Sequence, residues 1–149
     1  MLDPVLAFAV AGKLVLLAWL GLVVSLFVRP ARQPVWAAAQ LIVPLLLAIA
    51  YGILIWQGRD AFEQGGFGSI AEVRALFAND AALAAGWLHY LAFDLFVGVF
   101  IARDGLERRL PALLILPCLP LTLMFGPLGL LLYLILRTAF GRREQQDAA

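Results

Sequence analysis

Residues 81–102 read AALAAGWLHYLAFDLFVGVFIA, and the fold turns on them. The run is 22 residues long, and its only strongly polar side chains are His89 and Asp94. A bilayer core about 30 Å thick takes about 20 helical residues, so this stretch is long enough to cross one. Three more runs of the same kind lie outward from it: Val35–Trp56 and Val5–Val28 before it, Pro111–Leu136 after it. They hold 22, 24 and 26 residues. Together the four predict an all-α membrane protein, a bundle of four transmembrane helices forming one integral membrane domain over residues 1–149.

The bulk composition agrees. Hydrophobic residues make up 64% of the chain and charged ones 14%, against about 45–50% and about 25% in an ordinary soluble domain. A soluble fold of this length has too little interior for that much apolar surface, so the excess must face lipid. The formal net charge of +1 gives no basic field of the kind nucleic acid needs, and no nucleic-acid partner is expected. With Cys118 the sole cysteine and His89 the sole histidine, neither an intrachain disulfide nor a Cys/His metal cluster is available. The first run lacks a basic leading region and a small-residue cleavage site at Phe27-Val28-Arg29-Pro30, so it reads as a helix and not as a signal peptide. The simplest address is a multi-pass position in a bacterial cytoplasmic membrane, with the lipid bilayer itself as partner.

The connections carry their own signals. Arg29-Pro30-Ala31-Arg32-Gln33-Pro34 is a short basic turn that makes the first two helices an antiparallel hairpin. Pro44 lies inside the second run and bends it. Gln57–Asp80 is the longest connection. Gly65-Gly66-Phe67-Gly68 breaks helix there, and Ser69-Ile70-Ala71-Glu72 is a capping-box pattern that starts a new one. Ile70, Val73, Leu76 and Phe77 then share one side, which predicts a short amphipathic helix lying in the interface or packed on the bundle end. Asp80 is expected to cap the third span, and Gly105 to turn the chain out of it. Pro117, Pro120 and Pro127, with Gly126 and Gly129, predict a kinked or interrupted fourth helix. Irregular backbone at membrane depth survives only against protein or a cavity, so this segment is a candidate pocket lining. Arginine counts on the two faces of a four-span bundle tie at five each. The density of positive charge in the two short loops places those loops inside.

A charge at mid-membrane costs roughly 2.5–3.5 kcal/mol, so an ionisable group there is functional by default. Asp94 is the fourteenth residue of its run, too deep and too short to reach headgroups. Lys13 is its natural partner, offset by about 7 Å in parallel helices, or else it snorkels to the near headgroups. His89 is less distinctive, since a lone histidine on an apolar helix is more often packed than catalytic. Five residues also set it roughly 140° around the helix from Asp94. Cys118 reads as packing filler.

Ala75-Leu76-Phe77, Trp87-x-His89-x-Leu91-Ala92-x-Asp94-Leu95-Phe96, Ala102-Arg103-Asp104-Gly105-Leu106-Glu107 and Phe125-Gly126-Pro127-x-Gly129 together resemble the abscisic-acid-deficient-four-like family of neoxanthin synthesis. The resemblance runs from about Ile70 to Tyr133; the first two spans match only in hydropathy. It implies membrane-embedded modification of a carotenoid or related isoprenoid, namely an epoxide-opening isomerisation with no net redox change and no cofactor. Acid/base chemistry of that kind needs a proton donor and a base, for which Asp94 and His89 are the candidates. Trp87, Lys13, Thr122 and Phe125 are the candidate substrate contacts. The alternative is a non-catalytic carotenoid-binding or scaffold protein, with Asp94 and Lys13 as structural glue. A homodimer is expected on one ground only: four helices enclose a ligand as long as the bilayer is thick poorly.

Overall fold

The computed structural model describes residues 1–140. Among them every regular element is helical. Helix α1 is Pro4–Phe27, α2 is Arg29–Gln57, α3 is Ile70–Leu76, α4 is Asp80–Glu107, α5 is Ala112–Phe125 and α6 is Pro127–Phe140. A short 3-10 turn, Arg59–Glu63, leads from α2 towards α3. Helices α1, α2 and α4 are each long and apolar enough to cross a membrane. Many of their large side chains, Leu17, Leu20, Leu41, Leu45 and Phe93 among them, are exposed and suited to lipid. Helix α4 is the most enclosed: 44% of its most apolar window is buried, against 28% and 22% in α1 and α2.

The fourth apolar run differs from a straight crossing. It is two short helices, and the chain reverses between them. A Cβ on Gly129 would collide with the backbone of Thr122, although seven residues of continuous helix would hold them about 10 Å apart. A Cβ on Gly105 of α4 would meet Ile115 on α5 at 2.7 Å and Tyr133 on α6 at 3.4 Å. Residues 115 and 133 therefore stand at the same level on opposite legs of a helical hairpin. Its tip is Gly126, at φ 43 and ψ −95, a conformation that side chains with a Cβ rarely adopt. Pro127 then opens α6 at the position where its missing N–H and fixed φ cost nothing. An interruption is what the prolines and glycines forecast; the reversal is not, and the expected bundle of four crossings gives way to three long helices and a hairpin.

Pro44 has a milder consequence. It comes after a π-helical turn, Ala38–Ile42, beyond which α2 continues from Val43. The wider turn accommodates a residue that has no N–H to donate, and the helix stays one element.

Two of the helix ends also differ from expectation. Asn79, not Asp80, caps α4: its Oδ1 accepts from Ala81 N at 3.0 Å and Ala82 N at 3.1 Å. Gly105 does not end that helix. The end is a Schellman turn, with Leu110 N bonded to Gly105 O and Arg109 N to Leu106 O. Arg109 takes the left-handed position at φ 59. The Ser69 capping box is present: Glu72 N donates to Ser69 Oγ at 3.2 Å, and Glu72 Oε1 accepts from that hydroxyl.

The described residues fall into two compact units. The first is Met1–Leu16 with Ile42–Phe93, and the second is Leu17–Leu41 with Asp94–Ala149, described to Phe140. In the first unit the Gln57 amide clasps Leu2, accepting from its N–H at 2.9 Å and donating to its carbonyl at 3.0 Å. Leu76 of α3 is buried and the Phe77 ring lies against Gly86, so α3 is packed on its unit with Ile70 left exposed. In the second unit Arg32 caps the end of α1, donating to Ser25 O and Leu26 O at 3.1 and 3.2 Å.

Candidate functional site

The second unit is organised around the face of α4 that carries Asp94, Gly98 and Gly105. Asp94 is half-buried, and its carboxylate lies at the hairpin tip. A Cβ on Gly126 would stand 3.0 Å from Oδ1 and 3.3 Å from Oδ2, so any side chain there would press on the carboxylate. The same residue thus supplies the backbone conformation that reverses the chain and the clearance that seats the tip on the acid. Asp94 also sits beside the start of α6, where the first unpaired N–H groups of a helix favour negative charge.

One turn further along α4, Gly98 makes room for α1. A Cβ there would come within 2.5 Å of Cη2 and 2.7 Å of Cζ3 of Trp19, whose indole fills the notch. Trp19 is 3% exposed.

At its open end the hairpin is held to α4 by a polar lock. Asp104 accepts a short hydrogen bond from the Tyr133 hydroxyl. Arg108 Nε donates to both its oxygens, at 3.0 and 2.9 Å, and Arg137 Nε lies 3.4 Å away. Tyr133 is fully buried, with its ring edge-on to Phe100. Charge-assisted bonds of this kind are about twice as strong as neutral ones, and a buried phenol left without its acceptor is costly. The α6 leg is thereby fixed beside Gly105, where Ile115 of the α5 leg also packs.

The other sequence candidates divide between the two units. Thr122 is buried, donates to Cys118 O at 2.8 Å and packs on Gly129; its part is to let the legs approach. Phe125 is exposed beside the tip. Lys13, His89 and Trp87 belong to the first unit, and all three are exposed. The His89 ring lies 4.5 Å from Phe93 and 6.0 Å from Tyr51. Trp87 stacks between Phe8 and Tyr90, each at 5.3 Å. The first unit also holds a surface cleft of about 630 Å³, lined by Leu2, Gln57, Asn79 and Asp80 among others. Among the described residues no three His, Cys, Asp or Glu side chains converge on a metal position. Sequence reasoning gave no role to Trp19, Asp104 or Tyr133. Only the Arg103-Asp104-Gly105 motif hinted at the second; Trp19 sits in an unbroken apolar run that gives no signal.

The profile of the ABA DEFICIENT 4-like family matches residues 6–133. The chain belongs to the ABA4-like family. The match takes in α1 to α4 and the hairpin as far as Tyr133, so it includes the first two helices, where the short motifs are silent. No curated protein and no solved structure matches the chain. In this ABA4-like chain the family motifs acquire physical meanings. Phe125-Gly126-Pro127-x-Gly129 is the reversal and its close approach, Arg103-Asp104-Gly105 is the lock, and Asp94 is the residue on which the tip rests.

Proposed function

We propose that this ABA4-like protein modifies a carotenoid or related isoprenoid within the membrane, by epoxide-opening isomerisation with Asp94 as the acid. The observation that carries the reading is the Asp94 carboxylate set against the Gly126 turn, an acid held at the tip of a hairpin of otherwise apolar helices. Membership of the family supports the substrate class. In the proposed step protonated Asp94 gives its proton to the epoxide oxygen, the C–O bond breaks, and a hydroxyl and a carbocation form. Loss of a vinylic proton from the neighbouring chain then gives the allene. The carboxylate left on Asp94 is itself a base, and taking that proton restores the acid, so the isomerisation balances without an oxidant or reductant. His89 is the alternative base.

The test is pigment analysis of bacterial cells engineered to make several carotenoids, violaxanthin included. They would express wild type, Asp94→Asn or His89→Ala at equal membrane levels. A new pigment with wild type that disappears with Asp94→Asn is the expected result. Its persistence with His89→Ala would leave Asp94 as both acid and base. Unchanged pigments that co-purify with wild type and Asp94→Asn alike would replace the enzyme with a carotenoid-binding scaffold.

The membrane frame belongs to the same proposal. Helices α1, α2 and α4 cross, and the hairpin enters and returns on one face. That return brings Arg137 round to the face of the two short loops and breaks the arginine tie. On this face Arg29, Arg32, Arg103, Arg108, Arg109 and Arg137 stand against Asp104 and Glu107. On the other, Arg59 and Arg74 stand against Asp3, Asp60, Glu63, Glu72 and Asp80. The excess of arginine assigns the hairpin's open end to the cytoplasmic side.

A further inference from the structure

The second unit holds a buried donor that the acid chemistry of Asp94 does not use. Trp19 is 3% exposed, and its Nε1 has no hydrogen-bond partner among the described residues. A buried indole N–H usually finds an acceptor, because stripping it of water without replacement costs free energy. An unsatisfied group in a native fold therefore calls for an explanation. Packing alone does not supply one. The Gly98 notch, where a would-be Cβ stands 2.5 Å from the six-membered ring of the indole, accounts for the bicycle but not for a donor left without an acceptor. The notch and the ring are fitted to each other, and the fit holds the N–H in a fixed place. The notch is close to the acid: Gly98 comes four residues after Asp94, so the two lie on one face of α4 about 6 Å apart along its axis.

We infer that Trp19 Nε1–H is a ligand-contacting donor of the Asp94 site, reserved for an oxygen atom carried by an otherwise apolar ligand. The inference rests on the reading of Asp94 as the site of chemistry and adds to it a second, neutral contact. A carboxylic acid can protonate an oxygen but holds it loosely in position. A rigid indole donor one helical turn away fixes where that oxygen sits and distinguishes an oxygen-bearing ligand from the parent hydrocarbon. A donor that would otherwise stay unpaired discriminates between ligands, because the wrong ligand leaves it unpaired again. The donor carries no charge, so it makes this distinction at any pH at which the fold persists.

The obvious variant, Trp19→Phe, also deletes the ring atoms that fill the Gly98 notch. The cleaner probe replaces Trp19 by β-(3-benzothienyl)alanine through nonsense suppression, which keeps the bicycle and exchanges N–H for sulfur. The full-length protein in lipid nanodiscs is titrated with β-carotene and with its diepoxy-dihydroxy derivative violaxanthin. The expected result is a loss of roughly three- to tenfold in affinity for violaxanthin, the size of one net hydrogen bond, with β-carotene binding unchanged. The ligand-free variant is expected to melt at or above the wild-type temperature, since an unpaired donor has been removed. Equal binding of violaxanthin by variant and wild type would overturn the role of Trp19 and leave the Asp94 reading intact. So would a variant that melts well below wild type, which would mean that the N–H has a partner within the protein. A wild type that retains neither pigment would overturn both readings together.

Discussion

Helix α2 and the α5–α6 hairpin are built from similar material and end up opposite in kind. Both are long apolar segments interrupted by proline. In α2 the interruption at Pro44 is absorbed by one π-helical turn, and the helix goes on to Gln57. In the hairpin Pro127 comes after a glycine at φ 43, and the chain doubles back. Proline lacks an N–H in both places, but it does not choose the direction the chain takes next. That choice is made by the residue before it and by the groups waiting alongside: Gly129 against Thr122, Tyr133 against Asp104, and Gly126 against Asp94. Hydropathy sums are blind to this, since two half-helices and one whole helix bury the same residues in lipid.

The comparison can be broken most decisively by asking where the chain emerges. In a Cys118→Ala background, cysteines placed at Arg109 and Phe140 should react with a membrane-impermeant maleimide from one face, and a cysteine at Ile70 from the other. Labelling of positions 109 and 140 from opposite faces would make the fourth run a crossing like α2. Next in size, Gly129→Val drives a branched side chain into the Thr122 backbone. It should destabilise by about 3 kcal/mol, the upper range for overpacking, read as a drop in the detergent melting temperature. Gly126→Ala puts a Cβ on a disfavoured backbone and against the Asp94 carboxylate, for roughly 2 kcal/mol. Tyr133→Phe removes one charge-assisted bond from a buried ring and should cost about 1.5 kcal/mol. Pro44→Ala is the control at the small end: α2 already accommodates its proline, so the change should stay within about 1 kcal/mol. A Pro44→Ala effect as large as that of Gly129→Val would erase the contrast.

Much of the fold is legible in the sequence, for reasons that are local. The three long helices come from runs of apolar residues longer than a bilayer needs, and the capping box at Ser69 and Glu72 comes from spacing alone. The break in the fourth run is legible in Pro127 and Gly126. Its reversal is not, because it depends on contacts between residues far apart in the chain. The end of α4 departs from its expected place for a related reason. Gly105 looks like a turn residue, but its missing side chain is used for the close approach of Ile115 and Tyr133, and Arg109 takes the left-handed position instead. For the site, Asp94 stands out because a carboxylate amid apolar residues is expensive. Trp19 does not, because an indole in an apolar helix looks like any other large side chain until its N–H is found without an acceptor. His89, conspicuous as the sole histidine, lies exposed among aromatic rings in the first unit. Whether its exposure means lipid contact or chemistry is the question that His89→Ala decides.

The hairpin has a consequence for how the protein is made. Each leg is a 14-residue helix, about 21 Å long, well short of the hydrocarbon thickness. Neither leg can be handed to the bilayer by the insertion machinery as an independent segment. In the membrane frame proposed above, the two enter as a pair, with α4 in place to receive Tyr133 and the Gly126 tip. During synthesis the emerging stretch 111–136 is nonetheless a full-length apolar segment, and nothing in its hydrophobicity stops it from being threaded straight across. Within the proposed frame, biogenesis thus contains a fork between a paired entry and a straight crossing. In that frame the fork falls at Gly126, whose backbone at φ 43 turns the chain back.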